Sequence, residues 1–201
     1  MKKQLITLIL SAVAFASCHD EDKPAPTPTP TPTNTIKVGS KFTFTRSDFD
    51  QTGSFVENTF DYTILVVRDT NINGETWFVV VTNTPSTLEY SLLKFGSDGL
   101  YNFKDGVAAM ELKFNAAVND TWVTSNGETA MVMAINAPVD VPDGSFSDAV
   151  YIETSDANSM ENKMWYNNNQ FMLKHEEYDE YPAQSSQMVI DYRDELKSVD
   201  L

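Results

Sequence analysis

From residue 36 onward a turn signal interrupts the chain roughly every 8 to 12 residues. Asn71-Ile72-Asn73-Gly74, Gly96-Ser97-Asp98-Gly99, Lys104-Asp105-Gly106 and Ser125-Asn126-Gly127 are the clearest. The segments between them are short for helices but ample for strands, which need only about five or six residues. Their apolar residues also alternate, as at Phe42 and Phe44, at Phe60, Tyr62 and Ile64, and at Met188, Ile190 and Tyr192. That period belongs to strands with one buried face. The expected fold is mainly β, with little helix. It is an antiparallel meander of ten or so short strands forming a curved sheet or open half-barrel. Twelve Phe, eight Tyr and three Trp suit pleated, half-buried faces.

Taken in order, residues 36–46 open the domain as a strand, and residues 47–53, with Asp48, Asp50 and Gly53, read as a turn. Residues 55–68 and 77–81 pair as a hairpin across Asn71–Gly74, and residues 88–95 and 100–103 make a second. Residues 107–114 fit a helix, through Ala108, Ala109, Met110, Glu111 and Leu112, as well as they fit a strand. Residues 163–166 and 170–178 form a hairpin across Asn167-Asn168-Asn169, and residues 187–196 are the last strand.

The start of the chain has a different character. Lys2 and Lys3 precede the apolar run LITLILSAVAFA at residues 5–16, which is too short to span a bilayer. Small residues follow, so residues 1–17 read as a secretory signal peptide. The cysteine placed directly after them, Cys18, resembles the lipobox of bacterial lipoproteins, with Phe15 where that family usually carries Leu. The resemblance implies cleavage before Cys18, a diacylglycerol on its sulfur and a further acyl chain, palmitate for instance, on the new amine. One chain binds a membrane only marginally, whereas two or three hold it. Cys18 is the only cysteine, so no intrachain disulfide competes for it. The other reading is ordinary cleavage near Ala16, which leaves a secreted protein with a spare thiol.

Residues 18–35 then form a tether. His19-Asp20-Glu21-Asp22 is similar to the export signal that sends Bacteroidota lipoproteins to the outer face of the outer membrane; read without that resemblance it is a solvated charge run, and the periplasmic leaflet stays open. Residues 23–35 (KPAPTPTPTPTNT) favour polyproline II, a semi-rigid spacer of about 40 Å. Residues 36–201 make a single domain by length.

The net charge of −15 becomes more negative once the lysines of the signal are removed, which argues against nucleic acid and against adsorption to anionic headgroups. No catalytic constellation is expected. There is no G-x-S-x-G, no cofactor fingerprint and no free thiol once Cys18 is acylated. His175, the one histidine of the domain, shares a strand face with Glu177, and two ligands make a weak metal site. The acidic run around it, residues 175–180, reads as a solvated edge that discourages strand pairing. Asp48 and Asp50 begin like a calcium loop with Gly53 at position 6, but Thr59 stands where the bidentate acid belongs. Trp77, Trp122 and Trp165 are the candidate ligand-facing aromatics if they share one concave face; burial is the competing expectation.

Two stretches are similar to a broad group of bacterial envelope proteins that carry a VPAGTF segment. Here it reads Val141-Pro142-Asp143-Gly144-Ser145-Phe146, and the aromatic hairpin that follows in the group corresponds to Trp165-Tyr166 and Phe171-Met172-Leu173-Lys174, without its glycines. Asn119-Asp120-Thr121-Trp122 and Gly39-Ser40-Lys41-Phe42-Thr43-Phe44 also fit the group. The resemblance implies a curved antiparallel sheet, like the half-barrels that carry lipids or lipoproteins across the periplasm, and it brings no catalytic residue. The functional expectation is a membrane-anchored lipoprotein with a non-enzymatic binding or interaction domain for a glycan, lipid or protein. A half-barrel carrier is the alternative, and a hydrolase is a more remote one.

Overall fold

The structure, a computed structural model, describes residues 36–155, 161–167, 171–180 and 188–201. The signal, Cys18, the tether, the turn at Asn168 and Asn169, and Pro182 lie outside the described residues.

The described residues contain no helix. Twelve strands form one antiparallel sheet: β1 (Lys41–Phe49), β2 (Phe55–Ile72), β3 (Glu75–Asn83), β4 (Leu88–Phe95), β5 (Gly99–Lys104), β6 (Val107–Lys113), β7 (Thr121–Val123), β8 (Thr129–Val141), β9 (Gly144–Ser155), β10 (Glu161–Asn167), β11 (Phe171–Glu180) and β12 (Met188–Asp200). The order across the sheet is β6-β5-β4-β3-β2-β1-β12-β11-β10-β9-β8-β7. Every neighbour is therefore consecutive in sequence except one pair. The first strand pairs with the last, from Lys41 opposite Asp200 to Asp48 opposite Tyr192. That single long-range ladder turns a meander into a nearly closed barrel, with one seam between β6 and β7.

The turns follow from local chemistry. Asn73 and Gly74 (φ 54° and 86°) join β2 to β3, and Asp105 and Gly106 (φ 53° and 82°) join β5 to β6. Both central residues need positive φ in these two-residue turns, hence the Asn-Gly and Asp-Gly pairs. Gly99 has another reason to lack a side chain. A Cβ there would stand 2.3 Å from the Leu112 carbonyl oxygen, so the close approach of β5 to β6 requires glycine. The segment read as helix or strand is a strand, β6, held by its pairing with β5. The VPDGSF stretch makes the tight β8–β9 turn, with Val141 opposite Gly144 and Phe146 packed toward the core.

Two expectations are corrected. Asp48 belongs to β1 and not to a turn, because the ladder with β12 runs on to Asp48–Tyr192. The turn begins at Asp50, whose Oδ1 accepts hydrogen bonds from the backbone N–H of Thr52 (2.8 Å) and Ser54 (3.0 Å) and from Thr52 Oγ1 (2.6 Å). Thr59, which already lacked the bidentate acid, lies in β2 opposite Ser47, so the calcium-like spacing falls on two sides of a hairpin. Second, residues 175–180 are not an edge. Strand β11 pairs on both sides, and Glu176 is only 5% exposed. Lys174 and Arg193 contact its Oε1 at 2.9 and 2.8 Å, and Tyr178 donates to its Oε2 at 2.8 Å, so the acid carries its counter-charges on its own face.

The interior is apolar over much of its length. Phe42, Phe44, Tyr62, Val80, Leu93, Ile152 and Leu196 form part of one buried cluster. Outward-facing residues of the closing strands are charged instead: Glu153 is opposite Lys163, Lys163 opposite Glu176, and Glu176 opposite Arg193. An outer-membrane barrel would carry an apolar band on that surface.

Candidate functional site: the barrel lumen

Side chains alternate in and out along each strand, and the inward ones do not fill the barrel. Two adjoining cavities remain. One, of about 210 Å³, is lined mainly by apolar groups, among them Ile64, Val80, Leu93, Leu100, Leu112 and Met172. The other, of about 240 Å³, is lined by Thr124, Asn126, Glu128, Thr154, Asn162, His175, Glu177 and Tyr192 with Ile152. Glu111 and Met164 line both, so the cavities share a wall and divide the lumen into an apolar and a polar half.

Cross-strand register accounts for the polar half. His175 on β11 lies between Met164 of β10 and Asp194 of β12, and Glu177 lies between Asn162 and Tyr192. Each carboxylate of the cavity uses one oxygen on a protein donor. Glu111 Oε1 accepts from Ser125 N–H at 3.2 Å, Glu128 Oε2 from Thr154 Oγ1 at 2.9 Å, and Glu177 Oε2 from Tyr192 OH at 2.6 Å. His175 Nε2 donates to Asn162 Oδ1 at 3.1 Å. Among the described residues, no lysine or arginine lines this cavity.

Beside His175 sits an ion pair that anchors the wall, with Asp194 buried and Arg46 half-buried. Arg46 donates bidentately to Asp194, Nε to Oδ1 at 2.8 Å and NH2 to Oδ2 at 2.7 Å. The guanidinium lies 3.8 Å from the Tyr192 ring centroid, and His175 Nδ1 is 3.7 Å from Asp194 Oδ2. Burial pushes the Asp194 carboxyl up, but the two hydrogen bonds and the charge of Arg46 outweigh it and hold it below its ordinary range. The Tyr62 and Tyr192 phenols go up, Tyr62 by burial and the charge of Asp194, Tyr192 by burial and its hydrogen bond to Glu177. The pair thus fixes the rotamers of Tyr192 and His175 that face the lumen.

The seam is bridged by side chains where the ladder is missing. Trp122 Nε1 donates to the Glu111 carbonyl at 3.2 Å, Asn102 Nδ2 to Ser125 Oγ at 3.1 Å, and Lys113 pairs with Asp120 at 2.8 Å. At that end Tyr166 OH reaches across to the Lys113 carbonyl at 2.6 Å. The lumen therefore has one wall without backbone hydrogen bonds, between Glu111 and Thr124, next to the polar cavity.

Solved structures offer two similar folds. One is a Bacteroides fragilis protein described as exported with a YmcC-like fold, 8% identical, covering 82% of this chain and 97% of that one at a TM-score of 0.48. The other is a Parabacteroides distasonis protein described as a lipoprotein, 14% identical, covering 82% and 96% at 0.39. Neither level of similarity carries a function across. No family model matches the chain, and no curated protein does.

The three tryptophans do not meet on one face. Trp77, 1% exposed, lies on the face of β3 opposite Val80, edge-on to Phe103 at 5.3 Å. Trp165 lies on the outer face of β10, stacked on Tyr151 at 4.6 Å with Lys174 Nζ 4.9 Å from its ring centroid. Trp122 is at the seam and packs against the core. None of them lines either lumen cavity. A larger hollow of about 720 Å³, bordered by Arg68, Val79, Leu92 and Phe103, is an open depression, since Tyr90 at its border is 68% exposed. Among the described residues, no three His, Cys, Asp or Glu side chains converge as metal ligands do. Of the lumen acids, Glu177 is visible in the sequence beside His175, whereas Glu111 and Glu128 escape it because only barrel closure brings them to the same cavity.

Proposed function

We propose that this protein is a lipid-anchored envelope lipoprotein whose domain is a non-enzymatic binding module, with the two-part lumen as its site. The observation that carries the reading is the shared wall of Glu111 and Met164, which joins an apolar cavity to a polar one inside a barrel. Together the halves reach the size of ordinary small-molecule sites, about 300–1,000 Å³, and their division suits an amphiphile with one polar end. Cys18, with its acyl chains, would hold the module at the membrane, and the Pro/Thr tether would set it clear of the headgroups. The acidic residues after Cys18 favour the outer membrane and display at the cell surface.

Two measurements test the two parts. Wild-type protein is expected in the membrane fraction, released only by detergent, and Cys18→Ser in the aqueous fraction; wild type in the aqueous fraction would defeat the anchor. Native mass spectrometry of the mature chain (residues 18–201) with Cys18→Ser, which needs no detergent, is expected to show one small amphiphile retained from the cell or taken up from a panel. A bound diacyl lipid would favour a carrier instead, and uptake of nothing from the panel would count against a lumen site.

A further inference from the structure

We infer that the polar half of the lumen recognises a primary ammonium group, so that the ligand is a small amine with a short apolar body. This deepens the reading of the lumen as the binding site and rests on it. Three acids, Glu111, Glu128 and Glu177, face one cavity of about 240 Å³. Each satisfies one oxygen on a protein donor, and the second oxygen of each has no hydrogen-bond donor among the described residues. Two cations close to the lining residues are committed elsewhere: Arg46 is clamped to Asp194, and Lys104 donates to Asn126 Oδ1 at 2.8 Å without lining the cavity. The three carboxylates are half-buried, so a cation entering the cavity would meet charge that water only partly solvates.

A second, independent observation lies in the same cavity. Thr124, 8% exposed, directly follows β7 and lines the polar half. Its Oγ1 is buried with no hydrogen-bond partner among the described residues. A buried hydroxyl left unpaired costs free energy that a ligand donor would recover. The acids do not converge on one point as metal ligands do. An ammonium group, with three donors and one positive charge, needs only one of the half-used carboxylates and the spare Thr124 oxygen as acceptors, and keeps a donor for a second. The adjoining apolar cavity, about 210 Å³, sets the size of the body attached to the amine. It holds one short alkyl or single-ring group, far less than the hydrocarbon of a diacyl lipid.

Calorimetric titration of the mature Cys18→Ser chain with octylamine, 1-octanol and octanoate at neutral pH tests the inference. These probes share a tail and differ only in the head. Octylamine is expected to bind at least tenfold more tightly than 1-octanol, with octanoate weakest. Glu128→Gln and, separately, Glu177→Gln are expected to weaken octylamine about tenfold and to leave 1-octanol unchanged; two variants at different strands guard against one that misfolds. Octanoate binding as tightly as octylamine, or glutamine variants that keep the full amine preference, would overturn the ammonium assignment while leaving the lumen as a site. No binding of any of the three would overturn the lumen reading itself.

Discussion

Asp194→Asn should lower stability by about 3–5 kcal/mol, because it leaves Arg46 charged inside the barrel wall without its counter-ion. For a domain of this size that corresponds to a fall in Tm of roughly 6–20 °C. The Asp194 side chain is 3% exposed, and both of its oxygens are held by Arg46. The same variant should change the response to acid. Asp194 is held below its ordinary value of 3.8 in the folded state. Its contribution is therefore complete above that value and is lost as the pH falls through the lower, folded one. Wild type should show a flat plateau from neutral pH down to about pH 4 and a decline below it, part of which also belongs to Glu176. Asp194→Asn should start lower and decline less. Arg46→Met combined with Asp194→Leu should recover most of the loss, since the attraction and the desolvation cost disappear together. Urea unfolding of the three proteins across pH checks all of this. An Asp194→Asn protein as stable as wild type would show that the ion pair does not hold the wall.

Phe44→Ala should cost about 3–5 kcal/mol and should loosen the closure of the barrel in particular. Phe44 is fully buried, stands opposite Tyr62 on β2 and Leu196 on β12, and stacks on the Tyr62 ring at 5.4 Å. It therefore packs across both ladders of β1 at once. The remaining hairpins are local and can form without it, so the damage should concentrate where β1 meets β12. Amide hydrogen exchange should show protection falling more in β1 and β12 than in β3 and β4. A uniform fall across the sheet would mean that the residue contributes bulk to a common core and nothing specific to closure.

That closure marks the boundary of what the chain reveals by itself. The hairpins were readable because each is announced locally, by Asn73-Gly74 or Asp105-Gly106 between alternating segments. Along β12 the alternation of Met188, Ile190 and Tyr192 is broken by a register shift, since Tyr192 pairs with Glu177 but Ile190 with Tyr178, and only beyond it do Asp194 and Leu196 turn into the buried interior. The β1–β12 ladder has no local signal. Arg46 and Asp194 are 148 positions apart, and nothing near either names the other. The acidic run at His175 looked like an edge for the same reason, because Arg193, which neutralises Glu176, lies on the next strand. Residues 107–114 were ambiguous because Ala108, Ala109 and Met110 lack β-branching, and pairing with β5 decided the matter. The lumen was hidden by both effects. Its acids sit on β6, between β7 and β8, and on β11, and register shifts along β8 decide which inward residues meet. The tryptophans, conspicuous in the sequence, lie apart from one another.

If a ligand binds in the lumen, filling the wall shared by its two halves should exclude it. Met164 lines both halves, so Met164→Trp should fill part of each, at an overpacking cost of about 1–3 kcal/mol that the fold can bear. The measurement is titration of the octyl probes onto this variant beside its parent, with far-UV circular dichroism to confirm the sheet. Binding weakened more than tenfold with the sheet intact is the predicted result. Unchanged binding to a folded Met164→Trp protein would contradict the account and move the site out of the barrel.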